Sequence, residues 1–346
     1  MKKMALPISI FMILLSQIWA ASATYNPTQA TKASIPSQTT ITVNGGDSDD
    51  IQAAIDALPG NGGTVYLSNG TYTIYKPIVL RSSIRLAGES QSGVILERDE
   101  SFILSSQNGM LYGADGVEDI IIDHLSIDGS MSAAYRTESE NPVIGIYMNA
   151  GDNNRNNRIY INRCTVKRCA MGIHIKGTDN LKLYLLTLDD NGSINYYSHN
   201  LYLRRCTYVT MTDCVSVFSS TGNGFQSTDS DHVTVKNCTF KHNGYRGLRF
   251  AGNSSMILAS DNESSYNNEA DLGDGAYGIG TNPEGSGSPS QFSIINNKVQ
   301  SNDYDATGIS VSGSNGQIED NICRWNPTNY KVLGNNIVCD YSTDEN

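Results

Sequence analysis

Positive charge is scarce in this chain, where 24 Lys and Arg stand against 35 Asp and Glu. That deficit opposes nucleic acid as a partner. The basic residues that exist are concentrated between Arg155 and Arg249. Helical periodicity is scarce as well. No long i, i+3, i+4 pattern runs through the chain, which excludes a helical solenoid. Paired metal-binding spacing is missing: no CxxC and no His/Cys arrangement suggests zinc. Apolar runs are missing too, apart from Met4 to Trp19, so no membrane span is expected. That run follows Lys2 and Lys3 and ends in Ala21-Ser22-Ala23, which reads as a secretory signal peptide over residues 1–23. The expected location is therefore outside the cell or at its surface. Residues 24–40, rich in Ser, Thr, Pro, Gln and Ala, read as a flexible lead-in, and 41–346 as one elongated domain.

What the domain has in abundance is a recurring phrase: Gly or Asn, an apolar residue, a variable residue, then usually another apolar one. It reads Gly145-Ile146-Tyr147-Met148, Gly172-Ile173-His174-Ile175, Asn200-Leu201-Tyr202-Leu203, Gly224-Phe225-Gln226-Ser227, Gly247-Leu248-Arg249-Phe250, Gly278-Ile279-Gly280-Thr281 and Gly308-Ile309-Ser310-Val311. The steps between phrases are 27, 28, 24, 23, 31 and 30 residues. Repeats of this length are stacked supersecondary units. Alternation within each phrase is strand periodicity. A second run such as His232-Val233-Thr234-Val235 and a third such as Cys238-Thr239-Phe240 follow each phrase. Three short strands per turn predict an all-β fold, a single-stranded right-handed parallel β-helix. Asn191, Asn243, Asn267, Asn302 and Asn326 each follow a third segment, and are expected to supply the left-handed backbone of a corner.

The front of the domain predicts a short capping helix over Asp49 to Leu58, then strands Thr64 to Leu67 and Thr71 to Ile74. A cap is needed because an open coil exposes core and unpaired strand edge. The stretch containing Ile51-Gln52-Ala53-Ala54-Ile55-Asp56, Gly62-Gly63-Thr64-Val65-Tyr66-Leu67, Gly70-Thr71-Tyr72, Pro77-Ile78 and Leu86-Ala87-Gly88 resembles the amino-terminal cap of the pectate-lyase-like superfamily. With the repeats, the resemblance covers roughly residues 41–340. It implies the fold and leaves the reaction open, because that superfamily includes lyases, hydrolases, epimerases and phage tailspikes.

Seven cysteines are an odd number for a secreted chain. Cys164, Cys214 and Cys238 each open a third strand, so they are expected to stack inside. Cys214 and Cys238 would lie one coil apart, about 4.8 Å, which permits either free thiols or a disulfide. Cys164 would lie two coils from Cys214, out of reach.

Stacking the phrases places Tyr147, His174, Tyr202, Gln226 and Arg249 in one outward column. Two residues on lie Asn149, Lys176, Arg204 and Thr228. One residue before the phrase lie Ile144, Met171, His199, Asn223 and Arg246. Histidine and tyrosine transfer protons, and Arg or Lys pair with carboxylates. Uronic-acid polymers need both: a cation neutralises the C6 carboxylate, a base takes the C5 proton, and an acid protonates O4 or returns a proton to C5.

The segment Asn195-Tyr196-Tyr197-Ser198-His199-Asn200 resembles the active-site stretch of mannuronan C5-epimerases. There an Asp-Pro-His precedes the apolar strand, with a Tyr just upstream. His199 matches the family histidine, while Tyr197 stands where the family has Asp and Ser198 where it has Pro. The expectation is a lyase or C5-epimerase in which His199 and Tyr202 or Tyr197 are acid and base and His174 is a second proton-transfer candidate. Lys176, Arg204, Arg249, Arg246, Tyr147 and Gln226 would hold an acidic polysaccharide. The alternative is a glycan-binding or surface β-helix without activity. Hydrolysis ranks lower: it uses paired carboxylates, and the outward columns have none, nor are the polygalacturonase motifs Asn-Thr-Asp, Gly-His-Gly and Arg-Ile-Lys present. No cofactor is required by this scheme. The acidic stretch Asp261-Asn262-Glu263 through Glu269, Asp271 and Asp274 offers oxygen ligands for calcium, and the insertion 253–277 is expected to wall the cleft. A monomer is expected.

Overall fold

The computed structural model describes residues 33–35, 39–102, 109–131, 143–193, 198–273 and 275–340. The signal peptide, most of the lead-in, and Tyr196 and Tyr197 lie outside the described residues. Strands from Thr40 to Cys339 form one continuous parallel sheet that winds as a right-handed β-helix, three strands to a coil. The capping helix spans Ser48–Ala57. Asp47 caps it, its side chain accepting the Asp49 and Asp50 amides while the Asp50 carboxylate accepts the Asp47 amide. Such a reciprocal box satisfies amides that the first turn leaves unpaired.

The phrases stack as their alternation predicts. Ile146, Ile173, Leu201, Phe225, Leu248, Ile279 and Ile309 are in direct register and fully buried. This inner row holds the coils together, because each apolar side chain loses its water to the coils above and below it.

The corner asparagines work differently from the expectation. The left-handed residue is the one before each of them: Asp190, His242, Tyr266, Ser301 and Trp325 have φ between 51° and 55°. The asparagines themselves form a hydrogen-bonded ladder, buried from Asn191 to Asn302. The Asn243 amide and Nδ2 both donate to Asn267 Oδ1 at 3.2 and 2.9 Å, and Asn267 does the same to Asn302. A buried carboxamide needs these bonds, and stacking supplies them wherever consecutive coils carry asparagine at this corner. The ladder also explains the phrase glycine. A Cβ on Gly224 would stand 2.7 Å from Asn243 Nδ2, and one on Gly247 would stand 2.5 Å from the Gly278 carbonyl.

A second inner corner column runs through Cys164, Leu186, Cys214 and Cys238, then continues as Asn262, Asn297 and Asn321. Cys214 and Cys238 occupy adjacent coils, as the sequence indicates, and both are free thiols. Cys164 lies two coils from Cys214. Burial pushes the Cys164 thiol up to about 12 and Cys206 to about 11, so neither is reactive at neutral pH.

Candidate functional site

The site lies on the outward face of the first strands. Tyr112, Tyr147, His174, Tyr202, Gln226 and Arg249 share one column, each beside the next. The coil spacing turns the aromatic members into a continuous stack. Ring centroids are 5.8 Å apart for Tyr112–Tyr147, 5.2 Å for Tyr147–His174 and 4.9 Å for His174–Tyr202. His199 reaches the same stack from the preceding turn and meets Tyr202 edge-on at 5.6 Å. The sequence had not revealed Tyr112. Its coil carries Gly109 one position early, opposite Ile144, so the phrase is out of step there.

The two histidines differ. His199 is buried, and the Asn223 amide donates to its Nδ1 at 3.0 Å. A neutral His199 therefore keeps its proton on Nε2 and is a donor. Burial first, then Arg249, Arg246 and His174, pull its pKa down to about 3. His174 has no hydrogen-bond partner at either ring nitrogen among the described residues, and its Nε2 is buried. Burial first, then Lys176 and Arg204, pull His174 down to about 4. Burial is also the main cause that pushes the Tyr202 hydroxyl up. At neutral pH the cluster thus holds two uncharged imidazoles and one protonated phenol.

Cations surround it. Lys176 and Arg204 are partners in adjacent strands. Arg246 lies over the Tyr245 ring at 3.6 Å and near Tyr277 at 4.9 Å. Its Nε donates to the Gly275 carbonyl at 2.7 Å. Arg249 donates from Nε to Asn282 Oδ1 at 2.7 Å and pairs with Glu284 at 2.9 Å. Among the described residues this is the one ion pair that any of these four cations makes. Glu284 was not foreseen. It sits in the turn after the strand Tyr277–Asn282, and only the winding of the coil carries it to Arg249.

Several expected roles change. Gln226 and Asn223 are buried rather than open to solvent, and the Asn223 amide group donates to Gln226 Oε1 at 2.7 Å while Gln226 donates to Thr228 at 3.2 Å. Gln226 is thus spent inside the protein and does not line an open groove. Within 253–277, residues 255–260 and 263–265 are ordinary strands. Only the excess beyond them reaches the site, through Gly275. The acidic side chains expected to gather around calcium do not converge. Asp261 meets Lys236, Glu263 meets Lys241 at 2.8 Å, and Glu269 meets His242 at 2.6 Å. Among the described residues no cluster of three His, Cys, Asp or Glu could hold a metal ion. Asp274 lies outside the described residues.

No curated protein matches the chain in sequence. Among solved structures, it is similar to the A-module of an Azotobacter vinelandii mannuronan C-5 epimerase, at 16% identity and a TM-score of 0.58 over 85% of this chain and 95% of that one. It is also similar to a DFA-IIIase from Arthrobacter chlorophenolicus A6, at 11% identity and 0.54 over 79% and 70% of the two chains. The Streptococcus pneumoniae surface protein and adhesin PfbA follows at 14% identity and 0.50 over 84% and 96%. These likenesses show the fold alone. No helix among the described residues is long and apolar enough to cross a membrane. Residues 42–273 match the family described as rhamnogalacturonase A/epimerase, pectate lyase-like, so the chain belongs to that family.

Proposed function

We propose that this is a secreted, monomeric enzyme that removes the C5 proton of a uronic-acid unit in an acidic polysaccharide, with β-elimination as its main reaction. The observation that carries the reading is a charge imbalance. Lys176, Arg204, Arg246 and Arg249 surround the His174–His199–Tyr202 cluster, and among the described residues a single carboxylate pairs with any of them. A chain with net charge −11 has concentrated positive charge at one place. Such a face attracts a polyanion, and it does so beside uncharged proton-transfer groups.

In this scheme Lys176 and Arg204 hold the C6 carboxylate and lower the cost of negative charge at C5. Neutral His174, protonated at the buried Nε2, takes the C5 proton at Nδ1. The electron pair left at C5 forms the C4–C5 double bond as the C4–O4 bond breaks. Tyr202, still protonated, gives its proton to O4. His199, buried and held by the Asn223 amide, packs edge-on against Tyr202 and orients that ring. This gives His199 a positioning role in place of the acid or base role that its sequence context suggests. His174 and Tyr202 stand side by side on adjacent strands of one sheet face, their ring centroids 4.9 Å apart, and so address the same face of a sugar. That placement supports elimination over epimerisation, which needs a proton from the opposite face. The test is ultraviolet absorbance of an unsaturated uronate on a panel of uronic-acid polymers. A rise identifies the substrate. Bond cleavage with new reducing ends and no rise would make the enzyme a hydrolase.

A further inference from the structure

We propose that Glu284 is an internal substrate mimic: in the free protein its carboxylate fills a second carboxylate subsite on Arg249. This rests on the acidic-polysaccharide reading above and adds a subsite to it. Arg249 stands two coils beyond Tyr202 in the outward column. At about 4.8 Å per coil it lies about 10 Å farther along the helix axis, where it faces a different sugar unit from the one at His174.

Three contacts support the assignment. First, Arg249 is oriented without Glu284. Its Nε is fixed by Asn282 Oδ1 at 2.7 Å, which in turn accepts the Tyr277 hydroxyl at 2.7 Å, and Asn282 Nδ2 donates to the Pro283 carbonyl at 3.0 Å. Second, Glu284 is held lightly. Its backbone pairs with Gly287 at 3.1 Å, its side chain is 42% exposed, and Arg249 is its one side-chain partner among the described residues. The Arg249 side chain beneath it is 12% exposed. The carboxylate partner of this pair faces solvent while the guanidinium beneath it stays in place, so an incoming carboxylate can displace Glu284. Third, Arg246 lies close by with neutral acceptors and aromatic faces around it, and it makes no ion pair among the described residues. Two guanidiniums therefore await the carboxylate that replaces Glu284. A neutral glycan offers nothing that competes with a carboxylate for Arg249, so the same contact selects against neutral chains.

The experiment is calorimetric titration of wild type, Glu284→Gln and Arg249→Gln with a uronic-acid trimer and with its carboxyl-reduced, neutral counterpart. Circular dichroism checks that each variant is folded. The mimic predicts that Glu284→Gln binds the acidic trimer about two- to fivefold tighter than wild type. The neutral trimer gains nothing, and Arg249→Gln loses affinity for the acidic trimer. Equal or weaker acidic binding by Glu284→Gln overturns the proposal, because Glu284 would then be orienting Arg249 or doing nothing there. Equal binding of acidic and neutral trimers by wild type overturns both the mimic and the acidic-polysaccharide reading. A Lys176→Gln/Arg204→Gln double variant separates them: if it keeps wild-type affinity while Glu284→Gln gains, the Arg249 subsite stands and the first carboxylate site falls.

Discussion

Asn200 occupies the position where neighbouring coils have glycine, and its side chain fills the ladder rung that Ser219 of the same coil is too short to make. Asn191 Nδ2 donates to Asn200 Oδ1 at 2.9 Å, and Asn200 Nδ2 donates onward to Asn243 Oδ1 at 3.2 Å and to the Val217 carbonyl at 2.9 Å. The two departures from the repeat compensate for each other. Asn200 also follows His199 directly, so the rung anchors the turn that delivers His199 to the site.

Replacing Asn200 by glycine should leave buried carboxamides without partners, at a cost of about 1–3 kcal/mol. The double variant Asn200→Gly/Ser219→Asn restores the ordinary rung and should recover most of that loss. Denaturant unfolding of the two single variants and the double variant measures the coupling. Additive losses would show that the two positions are independent.

The depressed histidines make stability depend on pH. His174 titrates near 4 and His199 near 3 in the folded protein, against about 6.5 unfolded. Their contribution is fully present above pH 6.5, because both are neutral in either state. As pH falls below 6.5 the unfolded chain takes up protons first, and the contribution is lost progressively down to the folded values. For His174 the full loss is about 3 kcal/mol. His174→Gln should flatten the melting temperature between pH 6.5 and 4, and an unchanged acid slope would refute the assignment.

Lys176 and Arg204 should act on binding. Each charge-assisted bond to a carboxylate is worth about 1.5–3 kcal/mol, so Lys176→Gln or Arg204→Gln should weaken binding of an acidic oligosaccharide by about ten- to a hundredfold. Wild-type binding should weaken with added salt, and the double variant should lose most of that dependence.

The proton-transfer groups should act on turnover. His174→Gln and Tyr202→Phe should each lower kcat by about 10²–10⁴ with modest change in KM. His199→Asn should lower activity through lost orientation, and it is predicted to retain more kcat than His174→Gln. Steady-state kinetics on the responsive polymer distinguishes these outcomes.

The fold and much of the site face were legible because each depends on a local period. The register of Tyr147, His174 and Tyr202 follows from alternation within a single phrase. What depends on burial or on a neighbouring coil was hidden. The corner asparagines read as the left-handed residues of a turn, yet most of them are the buried rungs of a ladder, because the left-handed residue lies one position earlier. His199 reads as an acid or base, yet an amide 24 residues on fixes its Nδ1. Glu284 follows no phrase at all, since only the coil's return brings it to Arg249.

The most direct test of C5 chemistry is proton NMR of a uronic-acid oligosaccharide incubated with the protein in heavy water. Both elimination and epimerisation remove the C5 proton, so the account predicts progressive loss of the C5–H signal with wild type and none with His174→Gln. An intact C5–H signal under conditions where wild type demonstrably binds the oligosaccharide would contradict it and leave a glycan-binding β-helix.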